Sequence, residues 1–175
     1  MRPRPVGLAI LDRDGVLNVD VGYAHRPEQL VLVDGAAEAV RRLNVAGWAV
    51  AAVTNQSGVA RGLFDEAQVG RFHAAIDDVL AASGAHIDAW YYCPFHPDAA
   101  VAAYRHADHP DRKPNPGMVL RALADFATVP ERAFLIGDQP SDIEAARRAG
   151  VRGYLFEGGD LDALVDKALA GFGQP

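Results

Sequence analysis

Three short polar sets, each following an apolar run, hold the side chains best suited to chemistry. They are Asp12-Arg13-Asp14-Gly15, Thr54-Asn55-Gln56-Ser57, and Gly137-Asp138 followed by Asp142, with Lys113 as a separate cation in a proline-rich stretch. Carboxylates gathered without nearby sulfur or imidazole form a hard-oxygen set, which suits Mg²⁺ better than zinc. An ammonium group and a hydroxyl beside them complete what is needed to hold a phosphate dianion next to a carboxylate, because metal and ammonium offset the repulsion between anions. Phosphoryl transfer is the chemistry this combination suggests.

The sets must converge, and the elements around them say how. Residues 6–11 form an apolar run that stops at Asp12, which reads as a buried strand delivering polar groups to a loop. Residues 48–53 and 133–136 repeat the pattern ahead of Thr54 and Gly137-Asp138, and residues 87–92 and 151–156 read as further strands. Helical spacing follows Asp34-Gly35, with an N-cap candidate there and a stop at Gly47, and recurs over 64–82, 117–126, 141–149 (closed by Gly150) and 160–170. Residues 93–115 break the rhythm with Pro94, Pro97, Pro110 and Pro114, and read as an ordered loop. Strand and helix alternating in this way predict an α/β fold: a parallel sheet with helices on both faces, and ligands beyond the carboxyl ends of its strands. With no repeat, low-complexity tract or linker, a single domain over 1–175 is expected. Trp48 and Trp90 border strands and are expected in the core, whereas Arg41-Arg42 and Arg147-Arg148 read as solvated helix faces.

Composition narrows the function classes. The 175 residues carry 17 Lys+Arg against 23 Asp+Glu, a net charge of −6, and half of them are hydrophobic, which is enough for a packed core. The acidic balance gives no electrostatic reason to coat nucleic acid, and no uncharged apolar run approaches the roughly 20 residues that cross a bilayer. A single cysteine, Cys93, excludes an intramolecular disulfide framework, and residues 1–5 lack the apolar segment of a signal peptide. A cytoplasmic monomer acting on a small molecule, with no nucleic-acid or membrane partner, is the expectation.

The motifs carry a resemblance over about residues 8–150. Asp12-Arg13-Asp14-Gly15-Val16-Leu17-Asn18 and Thr54-Asn55-Gln56-Ser57-Gly58 resemble motifs I and II of the haloacid dehalogenase (HAD) superfamily. Arg112-Lys113-Pro114-Asn115-Pro116-Gly117-Met118 and Gly137-Asp138-Gln139-Pro140-Ser141-Asp142 resemble motifs III and IV. Asp20-Val21-Gly22-Tyr23, Gly58-Val59-Ala60-Arg61-Gly62 and the Arg-Lys-Pro run are similar, more narrowly, to the D,D-heptose 1,7-bisphosphate phosphatases and related histidinol-phosphatase domains. The resemblance implies a three-layer Rossmann-like fold and a role for each residue. Asp12 would be the nucleophile that forms an aspartyl-phosphate, and Asp14 the acid that protonates the leaving oxygen and then the base that activates water. Mg²⁺ would be bound by the Asp12 carboxylate, the Asp14 main-chain carbonyl and Asp138; Asp142 would either act through water or cap the following helix. Thr54 and the Asn55 backbone would donate to phosphoryl oxygens that Lys113 neutralises. Asp20, Val21, Gly22, Tyr23, Gln56, Ser57, Arg61, Arg112 and Gln139 would contact substrate.

The stretch between Asp14 and Thr54 is spent on one helix and one strand, leaving no room for a cap domain. An open site of this kind favours an extended polar substrate such as a bisphosphorylated sugar. The resembled phosphatases often hold zinc in the loop before Arg-Lys-Pro. Here Phe95 takes a histidine's place and Asp108 and Asp111 fall where two thiols would be. Cys93, His96, His106 and His109 remain as a candidate tetrahedral set, and a metal-free loop is the expectation. Rival readings are a histidinol-phosphate phosphatase or another phosphomonoesterase and, from another class, a phospho-receiver or binding protein without turnover. A receiver needs no acid two residues after its phosphoacceptor, which sets Asp14 against that reading.

Overall fold

The computed structural model describes residues 5–173, so all but the last of the N-terminal residues 1–5 read as leader-free lie outside the described residues. Five strands, β1 (Leu8–Leu11), β2 (Ala49–Asn55), β3 (Ala89–Cys93), β4 (Ala133–Gly137) and β5 (Arg152–Leu155), form one parallel sheet in the order β3-β2-β1-β4-β5. The register pairs Leu8 with Ala49 on one side and with Ala133 on the other, so β1 lies at the centre. Among the described residues six α-helices accompany it: α1 (Ala36–Val45), α2 (Ser57–Ala60), α3 (Glu66–Ala82), α4 (Gly117–Asp125), α5 (Pro140–Arg148) and α6 (Leu161–Ala170).

Alternation along β1 decides what covers each face. Ala9 and Leu11 pack with Val40 and Leu43 of α1, Phe72 and Ile76 of α3, and Leu161 and Val165 of α6. Leu8 and Ile10 pack with Met118 and Val119 of α4 and Ala145 and Ala146 of α5. This is the three-layer arrangement the alternating pattern predicts, and the described residues include no cap domain. No helix of the described residues is long and apolar enough to cross a membrane.

The boundaries differ from expectation where local hydrogen bonding decides. Val6 bonds outward to Gly47 before β1 begins. Asp34 does not cap α1; Gly35, in the left-handed region, takes that place without a side-chain cap. The long helix starts at Glu66 because Asp65 and Gln68 form a capping box ahead of it. The run after Thr54, read as loop, folds into the single turn α2. Trp48 is buried, but Trp90 is only half-buried, stacked on His73 at 4.1 Å. Arg42 is tied to α6 by ion pairs with Asp162 (2.6 Å) and Asp166 (3.1 Å), so that face is bridged and not merely solvated.

Candidate active site

β1 and β4 are the neighbours between which the sheet's winding reverses, and such a gap opens a crevice at the strand ends. Asp12, the first residue beyond β1, is pinned there by its N–H bond to the Ile136 carbonyl of β4 (2.9 Å). Asp138 follows β4 directly, and Asp142 enters from the first turn of α5. Their carboxylates each offer an oxygen within 4.8 Å of the others, the one such group of metal-ligating side chains among the described residues.

Lys113 reaches this point from the loop. Its Nζ lies 2.8 Å from Asp12 Oδ1 and 2.7 Å from Asp142 Oδ1, and donates to the Val53 carbonyl at 3.0 Å. Asn55 holds the lysine's backbone: its Oδ1 accepts from Lys113 N–H and its Nδ2 donates to the Lys113 carbonyl, both at 3.0 Å. That second motif position therefore clamps Lys113 through its side chain, a job its expected backbone donation to phosphate did not include. Burial pushes the Asp12 carboxyl well above the ordinary carboxylate range, with Lys113 opposing and Asp142 adding to the rise. Burial alone would lower the Lys113 ammonium, but Asp12 and Asp142 outweigh it and raise it.

One ammonium facing three carboxylates leaves negative charge uncompensated. Asp138 Oδ1 is buried without any hydrogen-bond donor among the described residues, while its Oδ2 accepts from Gln139 Nε2 at 3.0 Å. Gly15, at φ +87°, lies so close that a β-carbon there would collide with the Asp138 carboxylate. A crowded hard-oxygen set with an orphaned acceptor fits a small divalent cation such as Mg²⁺. Asp142 caps α5, since Oδ2 accepts from Gln139 N–H at 3.0 Å in a capping box, while Oδ1 holds Lys113, a contact the sequence reading did not include.

Asp14 faces the same cleft, but its carboxylate is not part of the metal-ligating group. It accepts from Gln56 Nε2 (2.9 Å), whose amide also donates to Thr54 Oγ1 (2.8 Å), from Asn18 Nδ2 (3.0 Å), and from the Arg13 guanidinium. The cleft, about 290 Å³, is lined by Asp12, Asp14, Thr54, Asn55, Gln56, Lys113, Asp138 and Asp142 together with Asp20, Gly22, Tyr23, Ser57 and Gln139. Val21, Arg61 and Arg112 do not line it. Val21 is exposed, Arg61 lies 3.4 Å from His96 Nε2, and Arg112 donates to the Phe95 carbonyl at 3.3 Å. The sequence reading gave no role to Arg13, Asn18 or His73. The only signal for Arg13 was its place between two acids.

The four candidate zinc ligands are not gathered. His109 stacks face to face on Phe95 (4.2 Å between centroids, 6° between planes), with its Nδ1 3.8 Å from Cys93 Sγ. His96 turns toward Arg61 and accepts from the Asp98 N–H, and His106 meets Phe95 and His109 edge-on. His106 and His109 are engaged with the Phe95 ring, and among the described residues the four side chains do not form a metal-ligating group.

A buried carboxylate paired with a lysine, a second acid two residues on and an acidic cluster that fits a divalent cation, at the crevice of a doubly wound sheet, form the set that an aspartate-dependent phosphoryl-transfer enzyme requires. A sequence-family model described as HAD-hydrolase-like matches residues 111–169. The chain is 46% identical over 162 residues to the D-glycero-beta-D-manno-heptose-1,7-bisphosphate 7-phosphatase of Rhodopseudomonas palustris, covering 92% of this chain and 89% of that one. It is 43% identical to the corresponding 7-phosphatase of Thermosynechococcus vestitus, covering 99% and 89%. The structure superposes with a TM-score of 0.81 on the D,D-heptose 1,7-bisphosphate phosphatase of B. bronchiseptica complexed with magnesium and phosphate (33% identity, 94% of this chain and 99% of that chain). The chain therefore belongs to the HAD-like hydrolases, within the family of the heptose-1,7-bisphosphate 7-phosphatases, and is a phosphoric monoester hydrolase.

Proposed function

We propose that this protein removes the 7-phosphate of D-glycero-D-manno-heptose 1,7-bisphosphate through an aspartyl-phosphate on Asp12. The observation that carries the reading is the buried Lys113 ammonium shared between Asp12 and Asp142 beside the orphaned Asp138 oxygen. Relatives with that substrate in their names supply the sugar. Asp12, Asp138 and the Asp14 main-chain carbonyl would hold magnesium, which when bound would supply Lewis-acid stabilisation of charge on the transferring group. Lys113 neutralises a phosphoryl oxygen, and the Thr54 hydroxyl donates to another. Asp12 attacks phosphorus in line with the leaving oxygen, which Asp14 protonates; Asp14 then takes a proton from the water that releases phosphate.

The open cleft accommodates a substrate that projects outward, with Asp20, Gly22, Tyr23, Ser57 and Gln139 along its wall. Beyond the wall, Arg61 and Arg112 have no carboxylate partner among the described residues and suit a second phosphate at the far end of a bisphosphate. The chain acts as one catalytic domain and, with every reacting group supplied by one polypeptide, as a monomer. Phosphate release should be measured on the heptose bisphosphate and on histidinol phosphate. A higher kcat/KM on the heptose bisphosphate supports the assignment, and a preference for histidinol phosphate overturns it.

A further inference from the structure

Arg13 stands between the two reacting aspartates, and its side chain has no exposure to solvent. Its guanidinium forks onto Asp14: Nε donates to Oδ1 at 3.2 Å, and Nη2 reaches Oδ1 at 3.0 Å and Oδ2 at 2.9 Å. Nη2 also donates to the Ala24 carbonyl at 2.8 Å, at the end of the segment that carries Asp20, Gly22 and Tyr23. The cation's flat face lies 4.6 Å from the Phe72 ring centroid, and Nη1 lies 3.4 Å from His73 Nε2. Burial and the Arg13 charge hold His73 down at about 3, so it meets the guanidinium as a neutral ring.

Burying an ion pair costs desolvation that its attraction seldom repays, so a fully enclosed guanidinium is weak evidence of stabilisation. What the arrangement does supply is geometry. A planar fork fixes the plane of a carboxylate, which a single ammonium cannot do. The same guanidinium ties that carboxylate to the segment that carries the cleft residues Asp20, Gly22 and Tyr23. We propose that Arg13 is a positioning residue that holds Asp14 in its proton-transfer orientation throughout the reaction and couples it to the segment ending at Ala24. The proposal rests on the aspartate-nucleophile reading of the site and assigns Arg13 no contact with substrate.

Two esters separate this role from a merely structural one. Departure of an alkyl alkoxide needs a proton from Asp14, whereas a p-nitrophenolate leaves without one, and kcat/KM reports only steps up to that departure. For Arg13→Lys, kcat/KM on an alkyl phosphate such as the heptose bisphosphate should fall about a hundredfold, as expected for a misplaced reacting group, while kcat/KM on p-nitrophenyl phosphate falls far less. An equal fall on both esters, or no fall on either, overturns the proposal. Should the variant not fold, a crystal structure of the unaltered protein with magnesium and orthovanadate decides: Asp14 must contact the apical oxygen while still bonded to Arg13. An Asp14 that has left the guanidinium contradicts the proposal. A wild type that cleaves neither ester contradicts the phosphatase reading and takes the proposal with it, whereas an active wild type with an indifferent variant overturns the proposal alone.

Discussion

The Nζ atom of Lys113 lies 2.8 Å from Oδ1 of Asp12, and both side chains are nearly closed to solvent. The same ammonium lies 2.7 Å from Asp142, so it balances two buried acids at once. Removing it leaves Asp12 and Asp142 buried without their shared cation. Lys113→Met should therefore lower kcat by about a hundredfold to a thousandfold, in the range seen when one transition-state stabilising donor is lost. It should also destabilise the magnesium-free protein by about 3–5 kcal/mol, as expected when one member of a buried ion pair is removed. Steady-state kinetics and urea unfolding without magnesium measure the two effects; a variant with unchanged turnover would remove Lys113 from the chemistry.

Asp138 contributes an oxygen that no donor among the described residues satisfies. Replacing it with Asn keeps the shape and removes the charge, so the magnesium concentration needed for half-maximal activity should rise at least tenfold. Titrating activity with magnesium after chelation tests this. An unaltered magnesium requirement would place the ion elsewhere.

The loop over 93–115 is organised by rings. Phe95 stacks on His109 and the four candidate ligands form no metal-ligating group among the described residues, so protein purified without a histidine tag should contain no stoichiometric zinc. EDTA should then abolish activity, and magnesium alone should restore it in full. Near-equimolar zinc by elemental analysis would sink this account of the loop. Phe95→Ala removes a stacked pair and should cost on the order of 1 kcal/mol, visible as a lower Tm.

His73 is buried against Arg13 and Trp90 and is pushed down to about 3, first by burial and then by the guanidinium. The unfolded chain binds a proton at this residue near the ordinary value of 6.5, whereas the folded chain does not. Its effect is absent above that value, and stability is lost as pH falls from about 6.5 toward 3, by up to about 1.4 kcal/mol per pH unit. His73→Phe, which keeps a ring on Trp90, should flatten the pH dependence of urea unfolding between pH 6 and 4. A slope equal to that of the wild type would show that the histidine does not take part.

Much of the site was legible because chemistry here sits at strand ends, and strand ends are written as apolar runs that stop at polar residues. Asp12, Thr54 and Asp138 were placed by that rule alone, and the structure sets them around one cleft. Lys113 could be named as a cation but not located by periodicity, since its position depends on a long-range clamp by Asn55. Val21 was read with its neighbours, yet a loop turning through Gly22 in the left-handed region leaves Val21 exposed outside the cleft. Arg13 was invisible as a support because the pattern marks the acids on either side of it, while its own partners, Ala24 and His73, lie far along the chain. Helix starts failed for a local reason: Asp34 suits an N-cap by type, but Gly35 occupies that place by backbone conformation.

Asp14→Asn keeps the size of the group but cannot donate or accept the transferred proton as a carboxyl does. It should lower kcat by about 10² to 10⁴, the usual share of general acid–base catalysis, and Asp12→Asn should abolish turnover. A receiver-like protein would be indifferent to the first change.

The central claim is that Asp12 carries the phosphoryl group. Acid-quenching the protein within a single turnover on the heptose bisphosphate and mapping its peptides by mass spectrometry tests that most directly. A phosphoryl adduct on Asp12, lost again as phosphate appears, is the predicted result; single-turnover phosphate release with Asp12 unmodified at every time point, or an adduct on a different side chain, would contradict it.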